Sequence, residues 1–346
     1  MNMRNRSHAF DYLQVDDFLS DVVSARALAT ALELRLIDFL LENQPVPKNI
    51  LVEKFQGDRR GIELLLELIC NAGVTRDHEG AVILSAAFEK ALAYRDLLEA
   101  KLQFARVTAP DFLDHFTALV HSPELFRRRA RIFDLFGYDR SEIFSRENLQ
   151  RTREWVRLTT ALTRYEARVL MEYHDFGNHR LMLDIGGNSG ELALCLCRKH
   201  PGLRATVFDL PLVCHVGRDH LLKEPEADRI AFVEGNGLKD PLPRGFDLVC
   251  FKSMLHDWPD PQAWHLLESA ARCLRSGGTL LIFERQRPEA WPWPLPYSLV
   301  PFLLFFRSYR TPSSYETQLK GLGFQEITRR RIELDMPFML VTGVKK

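Results

Sequence analysis

Leu183-Asp184-Ile185-Gly186-Gly187-Asn188-Ser189-Gly190 is the stretch whose reading decides the fold. A short apolar run reaches an aspartate, opens into a glycine-rich loop and continues into helix-forming residues from Glu191. Glycines let the backbone turn sharply and let a ligand approach it closely. Free amides at the start of the following helix favour a carboxylate or a phosphate. A glycine-rich loop alone is a weak signal, because several nucleotide-binding folds use one.

Working outward, strand-like and helix-like segments alternate from Leu181 onward. Strands are expected at 181–185, 205–208, 230–234, 248–251 and 279–284. Alternation at this spacing implies an α/β fold with a Rossmann-like, doubly wound parallel sheet. Ligands in such sheets bind at the carboxyl ends of the strands, near the point where the strand order reverses. This catalytic-type domain is expected to span 179–346.

Upstream the character is helical. Ala25, Leu28, Ala29, Leu32, Leu36 and Leu40 keep the spacing of one helix face. Further helices are expected at about 49–55 and through Ile62, Leu65, Leu66 and Ile69 up to Gly73. Asp77-His78-Glu79-Gly80 before Ala81-Val82-Ile83-Leu84 signals a small hairpin. Three helices and a hairpin outline a winged helix, so residues 1–100 are read as an N-terminal, all-α, winged-helix-like domain. Residues 101–178 read as a helical region rich in Arg and aromatics, with Phe104, Phe112, Phe116, Phe126, Phe133, Phe136 and Phe144 packing the core or lining a pocket.

Composition narrows the partners. The 346 residues are 46% hydrophobic and 27% charged, as in a water-soluble globular protein. Lys plus Arg and Asp plus Glu each number 46. A net charge of zero argues against a nucleic-acid partner, which calls for a basic excess. The six cysteines show no CxxC pair, so no structural zinc or other metal is expected. Met1 to Asp17 lacks the apolar core of a signal peptide. The apolar run from Tyr297 to Phe306 is shorter than the about 20 residues a membrane helix needs. No membrane span and a cytoplasmic location are therefore expected.

Three features sharpen the glycine loop. Asp209-Leu210 closes the second strand, where a carboxylate can accept hydrogen bonds from ribose hydroxyls. Asp184 stands directly before the loop, where it repels a pyrophosphate and suits an ammonium and a sulfonium. Gly235-Asn236-Gly237-Leu238 follows the third strand, placing an amide for an adenine edge and a leucine for its face. In this order they point to S-adenosylmethionine. After the fourth strand comes Lys252-Ser253-Met254-Leu255-His256-Asp257. An imidazole at a strand's carboxyl end faces the crevice and titrates near neutrality, so His256 is the candidate base. Glu284 ends the fifth strand, and either orients His256 or pairs on the surface with Arg285 or Arg287.

Residues 181–346 closely resemble the catalytic domain of S-adenosylmethionine-dependent O-methyltransferases, in the branch of caffeate and acetylserotonin enzymes. The segments Leu183–Gly190, Phe208–Pro211, Phe232–Leu238, Phe251–Asp260 and Gly277–Glu284 carry the likeness, with Arg310-Thr311 through Phe324. Residues 20–95 look like that family's winged-helix dimerisation domain. The resemblance implies a homodimer, a catalytic set of His256, Glu284 and Asp257, and S-adenosylhomocysteine as the product of the cofactor. It places Gly186, Asp209, Asn236 and Lys252 at cofactor-binding positions, and with the residues read beside them the expected cofactor-binding set is Asp184, Gly186, Gly187, Gly190, Asp209, Leu210, Asn236, Gly237, Leu238, Lys252 and Ser253. The substrate is expected to be a lipophilic small molecule with a hydroxyl or carboxyl acceptor, met by Phe302 and Tyr309.

Three positions depart from the family pattern. Asn188 stands where a Gly or Ala is usual, and Asn236 where an Asp is usual. Tyr309 stands where many relatives carry a Glu that helps hold the histidine. Tyr309 is expected to bond the base or the substrate instead, or to mark an acidic substrate group that needs little deprotonation. Two other functions stay open at this level: binding the sulfonium without methyl transfer, as in related decarboxylases, hydroxylases or ring-forming enzymes, and a winged-helix regulator that senses a ligand.

Overall fold

The computed structural model describes residues 8–55, 58–135 and 137–346. They form two compact units: the described residues up to Pro110 together with Ala290–Pro301, and Asp111–Glu289 together with Phe302–Lys346. The return of Ala290–Pro301 to the first unit is something no linear division of the chain contains.

In the first unit, the expected helix through Ala25 and Leu40 is two helices, Val22–Glu33 and Leu36–Asn43. Arg35 breaks them with a left-handed backbone at φ 60. That conformation costs a non-glycine residue roughly 1–2 kcal/mol. Burial of Leu36, Ile37 and Leu40 offsets it, because the turn keeps all three inside. The first helix is capped by Asp21, whose carboxylate accepts from the Ser24 amide at 2.9 Å. Helices Lys48–Lys54 and Arg59–Asn71 follow, close to their expected bounds. Asp58 caps the latter through the Gly61 amide at 2.8 Å, and Gly73 at φ 76 follows its end.

The hairpin forms as expected, from β2 (Thr75–His78) and β3 (Ala81–Leu84). Its two turn residues, Glu79 and Gly80, both have positive φ, as a two-residue turn matched to strand twist requires. A two-residue strand, β1 (Val46–Pro47), pairs antiparallel with β3 and gives the mostly helical unit a three-stranded sheet.

The second unit is built on seven strands: β4 (Leu181–Ile185), β5 (Arg204–Asp209), β6 (Ile230–Glu234), β7 (Phe246–Lys252), β8 (Leu274–Arg285), β9 (Phe324–Glu333) and β10 (Pro337–Lys345). Their order is β6-β5-β4-β7-β8-β10-β9. The first five in that order run parallel, and β10 is antiparallel to both β8 and β9. The chain winds from β4 outward to β6, then returns beside β4 as β7. The crevice at the carboxyl ends of β4 and β7 is therefore the switch point where ligands bind.

Helices cover the sheet. Leu183, Val249, Phe251 and Ile282 pack with Leu266, Leu267 and Ala270 of helix Asp260–Cys273 in one buried cluster. The long helix Arg146–Tyr173 starts from Ser145, whose hydroxyl accepts from the Asn148 amide. It buries Trp155, Val156, Glu166 and Leu170. Of the phenylalanines in this region, Phe112 and Phe126 are core, while Phe116 and Phe144 are exposed. Phe136 and residues 1–7 lie outside the described residues. The six cysteines are free thiols. Among the described residues no helix is long and apolar enough to cross a membrane.

Candidate cofactor crevice and active site

The glycine loop is a cradle with no room for a side chain at Gly186 or Gly187. Gly186 has φ 67, and a Cβ there would lie 2.6 Å from Met254 Cγ. A Cβ on Gly187 would lie 2.6 Å from Asp184 Oδ2. Gly190, at φ 78, starts helix Glu191–Lys199. Asn188 is also left-handed, at φ 57. Asn tolerates that region better than most residues, because its side chain bonds locally. Here Asn188 Oδ1 accepts from the Ser189 amide at 2.8 Å and from Thr159 Oγ1 at 3.1 Å. The departure at 188 thus meets the same backbone demand that a glycine would.

Two acids flank the cradle. Asp184 is buried, and its Oδ2 has no hydrogen-bond partner among the described residues. Burial, and then the negative charge of Asp209, push its carboxyl up to about 7, against the pull of Lys252. Such a group gains most from a cation placed against it. Asp209 accepts from the Asn188 amide at 2.8 Å and from the Leu210 amide at 2.7 Å. Burial raises it to about 6 in spite of those two bonds. A carboxylate has about four lone-pair sites, so it can still accept from hydroxyls. Leu210 itself is buried against Trp155 and Val213.

The remaining expected cofactor residues are only partly free. Asn236 Nδ2 donates to Glu142 at 2.6 Å, and its Oδ1 accepts from the Leu238 amide at 3.0 Å. Leu238 is half-buried against the sheet's main cluster, and Gly237 lies close to Leu266. The Lys252 ammonium is held by Thr163 Oγ1 at 2.9 Å and by the Glu166 carboxylate. Ser253 has φ 49, and its hydroxyl accepts from Arg285 at 3.3 Å. The structure thus makes Lys252 and Ser253 part of a buried ionic cluster, since Arg285 also donates to Glu166 at 2.7 Å.

His256 lies on the short turn Leu255–Asp257 that follows β7, and is buried. Its Nδ1 is 2.6 Å from Glu284 Oε2. The other Glu284 oxygen accepts from the Met254 amide at 2.7 Å and the Leu255 amide at 2.6 Å. Glu284 is completely buried. Burial alone would raise its pKa, but the His256 charge and hydrogen bond, with the two amides, hold it below the ordinary value. Of the two alternatives that the sequence left open, the structure has Glu284 facing His256, while Arg285 pairs with Glu166.

Asp257 Oδ1 is 3.6 Å from His256 Nε2, beyond a hydrogen bond. Its Oδ2 accepts from the Tyr138 hydroxyl at 2.6 Å. Burial raises Asp257 above the ordinary carboxylate value, and His256 and Tyr138 only partly offset this.

Aromatic rings wall the histidine. Phe305 meets it edge-on at 4.8 Å and Tyr309 lies tilted at 5.6 Å, measured between ring centroids. The Tyr309 hydroxyl donates to the Phe302 carbonyl at 3.1 Å. Its proton thus goes to the backbone and not to His256, while its oxygen keeps acceptor capacity. Phe302 is buried with its ring 4.3 Å from the Arg285 guanidinium. Sequence reasoning missed Tyr138, Glu142, Thr163 and Glu166, which come from the helical region where no motif marks them.

The crevice offers matching chemistry for three parts of S-adenosylmethionine: its ammonium, its ribose and its methionine chain. An unpartnered buried carboxylate oxygen on Asp184 suits its ammonium. Asp209 suits its ribose, and the cradle at Gly186 and Gly187 lets its chain approach the backbone. Among the described residues no group of three His, Cys, Asp or Glu could hold a metal ion.

Known proteins place this arrangement. Residues 128–325 match the O-methyltransferase domain family. Acetylserotonin O-methyltransferase of Bos taurus is 29% identical over 92% of this chain and 94% of its own length. The 3-hydroxy-5-methyl-1-naphthoate 3-O-methyltransferase of Streptomyces sahachiroi is 33% identical over 52% of this chain and 53% of its own. The human N-acetylserotonin methyltransferase, solved with S-adenosylmethionine, shares the fold at a TM-score of 0.72 and 23% identity, over 93% of each chain. With the match covering more than half of the sequence and the parallel sheet and glycine cradle in place, this chain belongs to the S-adenosylmethionine-dependent O-methyltransferase family.

Proposed function

We propose that the chain methylates a hydroxyl oxygen of a lipophilic small molecule, with His256 as the general base. The observation that carries this reading is the 2.6 Å contact between His256 Nδ1 and Glu284 Oε2. With Nδ1 donating to Glu284, the lone pair of the neutral ring sits on Nε2. Glu284 is fixed by two backbone amides, so it holds the ring in one orientation. Its charge also stabilises the imidazolium that forms when Nε2 takes the substrate's proton.

When bound, S-adenosylmethionine supplies an electrophilic methyl group on a positively charged sulfur. Asp184 would hold its ammonium and Asp209 its ribose hydroxyls. His256 would take the hydroxyl proton as the oxygen takes the methyl group, the sulfur keeping the carbon–sulfur bonding pair as a neutral thioether. The proton remains on Nε2, and S-adenosylhomocysteine leaves. The rings of Phe305 and Tyr309 beside the base favour an apolar, ring-bearing acceptor. The bovine and Streptomyces relatives are named for acetylserotonin and for a hydroxy-methyl-naphthoate, which agrees with that preference.

The test is mass spectrometry of the protein incubated with methyl-labelled S-adenosylmethionine and a fraction of apolar metabolites. A labelled methyl ether appearing together with S-adenosylhomocysteine is the expected result. A modified metabolite without S-adenosylhomocysteine would instead support the reading in which the sulfonium is bound but not consumed. Asp209→Ala is expected to weaken S-adenosylmethionine binding by about 1.5–3 kcal/mol, the range for hydrogen bonds to a charged group. Unchanged affinity by calorimetry would remove Asp209 as the ribose ligand.

A further inference from the structure

We propose that Arg310 is a positioning residue for the base: its guanidinium clamps the turn that carries His256 and, together with Glu284, fixes where Nε2 points. The inference rests on reading His256 as the base, and adds a residue whose bonds go to the backbone on either side of it.

The turn Leu255–Asp257 is short, and its own bonds hold it weakly. The Asp257 amide donates to the Met254 carbonyl at 3.1 Å, and the Trp258 amide to the Leu255 carbonyl at 3.3 Å, the second longer than is usual. Side chains from outside supply the rest. Glu284 accepts from the Met254 and Leu255 amides. Arg310 takes the carbonyl side: Nη1 donates to the Leu255 carbonyl at 2.9 Å and Nη2 to the Trp258 carbonyl at 2.7 Å. Leu255 is thus pinned through both its N–H and its C=O, one residue before the base. The two guanidinium bonds bracket His256 and Asp257, so both ends of the segment that aims the ring are fixed.

The guanidinium is itself held in place. Its Nε donates to Asp260 Oδ1 at 2.8 Å, its Cζ lies 4.9 Å from the centre of the Trp264 ring, and the residue is buried. Arginine presents its N–H groups in a rigid planar fork, which is what bridging two carbonyls requires. The backbone of Arg310 is rooted beside the strand that bears Glu284. It bridges Gln286, and its carbonyl accepts from the Arg287 amide at 3.0 Å. Both holders of the turn therefore start from the same end of β8. The preceding residue, Tyr309, walls the imidazole at 5.6 Å between ring centroids. With Nδ1 committed to Glu284, the aim of Nε2 follows the backbone at 256. A displacement of about 1 Å at a reacting group can cost about 10²-fold in rate, so a clamp on that backbone bears directly on the reaction.

The test is hydrogen–deuterium exchange of the full chain, read by mass spectrometry on a peptide spanning 253–258, with nitrogen-15 spectra of labelled histidines beside it. Loss of a signal in His256→Ala assigns the ring. Arg310→Met is expected to speed exchange of the peptide by about tenfold, the factor given by a lost hydrogen bond of ~1.4 kcal/mol. It should also turn the single Nδ1–H tautomer of His256 into a mixture. Arg310→Lys should restore part of the protection, since an ammonium lacks the fork that meets both carbonyls. Peptides from β4 and β5 should exchange as in the parent. Should Arg310→Met fail to fold, Asp260→Asn carries the same test, because the Asp260 side chain is mostly exposed and its loss frees the guanidinium without leaving a hole. Unchanged exchange at 253–258 with an unchanged tautomer, in whichever variant folds, would overturn the clamp. Equal loss of protection in β4 and β5 would also overturn it, because Arg310 would then stabilise the sheet as a whole. Neither readout needs a methyl acceptor, so the base reading fails separately: methyl transfer that survives His256→Ala would remove the base, while exchange still decides whether Arg310 holds the turn.

Discussion

Replacing His256 with alanine is expected to lower turnover by about 10²–10⁴-fold, the usual contribution of a positioned general base. Affinity for S-adenosylmethionine should stay close to that of the parent protein. The two effects separate because the acids expected to hold the cofactor, Asp184 and Asp209, lie on β4 and β5, whereas His256 follows β7. His256 makes its one short side-chain bond to Glu284, through Nδ1. The nitrogen left to act is Nε2, and the nearest acid to it, Asp257, stands off at 3.6 Å. Initial rates of S-adenosylhomocysteine formation give the loss in kcat, and calorimetry gives the binding constant. Turnover within a few-fold of the parent would sink the base assignment. Loss of turnover together with loss of cofactor binding would mean that the substitution had disturbed the crevice itself.

The parallel part of the fold was legible because its strands are apolar runs, most of them buried, bounded by recognisable turns. β4 and β6 carry the bounds expected from sequence, and β5, β7 and β8 extend beyond theirs into residues with weaker apolar pattern. β9 and β10 were not anticipated. β9 is an edge strand that carries Arg329, Arg330 and Arg331, and most of its residues are exposed, so it lacks the apolar pattern of a strand. The break at Arg35 was equally hidden, since Leu36 and Leu40 stay on the buried side and the helical spacing runs through it.

The site divides along the same line. Asp184, Asp209, His256 and Glu284 stand at or just past the carboxyl ends of neighbouring parallel strands, where α/β geometry says that ligands bind. Their partners Tyr138, Glu142, Thr163 and Glu166 come from helical segments distant in sequence. A tyrosine or glutamate on a helix looks the same whether it faces water or a buried cation. Only tertiary packing distinguishes the two, which is why Lys252 was read as a cofactor contact and its bond to Glu166 was not foreseen.

That hidden partner carries the largest expected effect on stability. Glu166→Ala is expected to destabilise the protein by about 3–5 kcal/mol, the cost of breaking a buried ion pair from one side. Glu166 is buried between the Lys252 ammonium and the Arg285 guanidinium, both also withdrawn from water. Among the described residues, removing its carboxylate leaves Lys252 with Thr163, and leaves Arg285 with Ser253 and an Asp335 carboxylate at 3.8 Å. An exposed pair such as Arg59 with Glu63 bears no comparison, since water screens both ions and its loss costs about 0–1 kcal/mol. For a folding unit of this size the loss corresponds to a fall in melting temperature of about 6–20 °C. Lys252→Met added to Glu166→Ala should recover part of it, because the second change removes one of the stranded charges. A melting temperature within about 2 °C of the parent for Glu166→Ala would mean that water reaches the cluster and that these ions are not buried. The same cluster joins helix Arg146–Tyr173 to the ends of β7 and β8, which bear Ser253 and Glu284. Loosening it should therefore reach catalysis as well, through a base whose partner is no longer held in place.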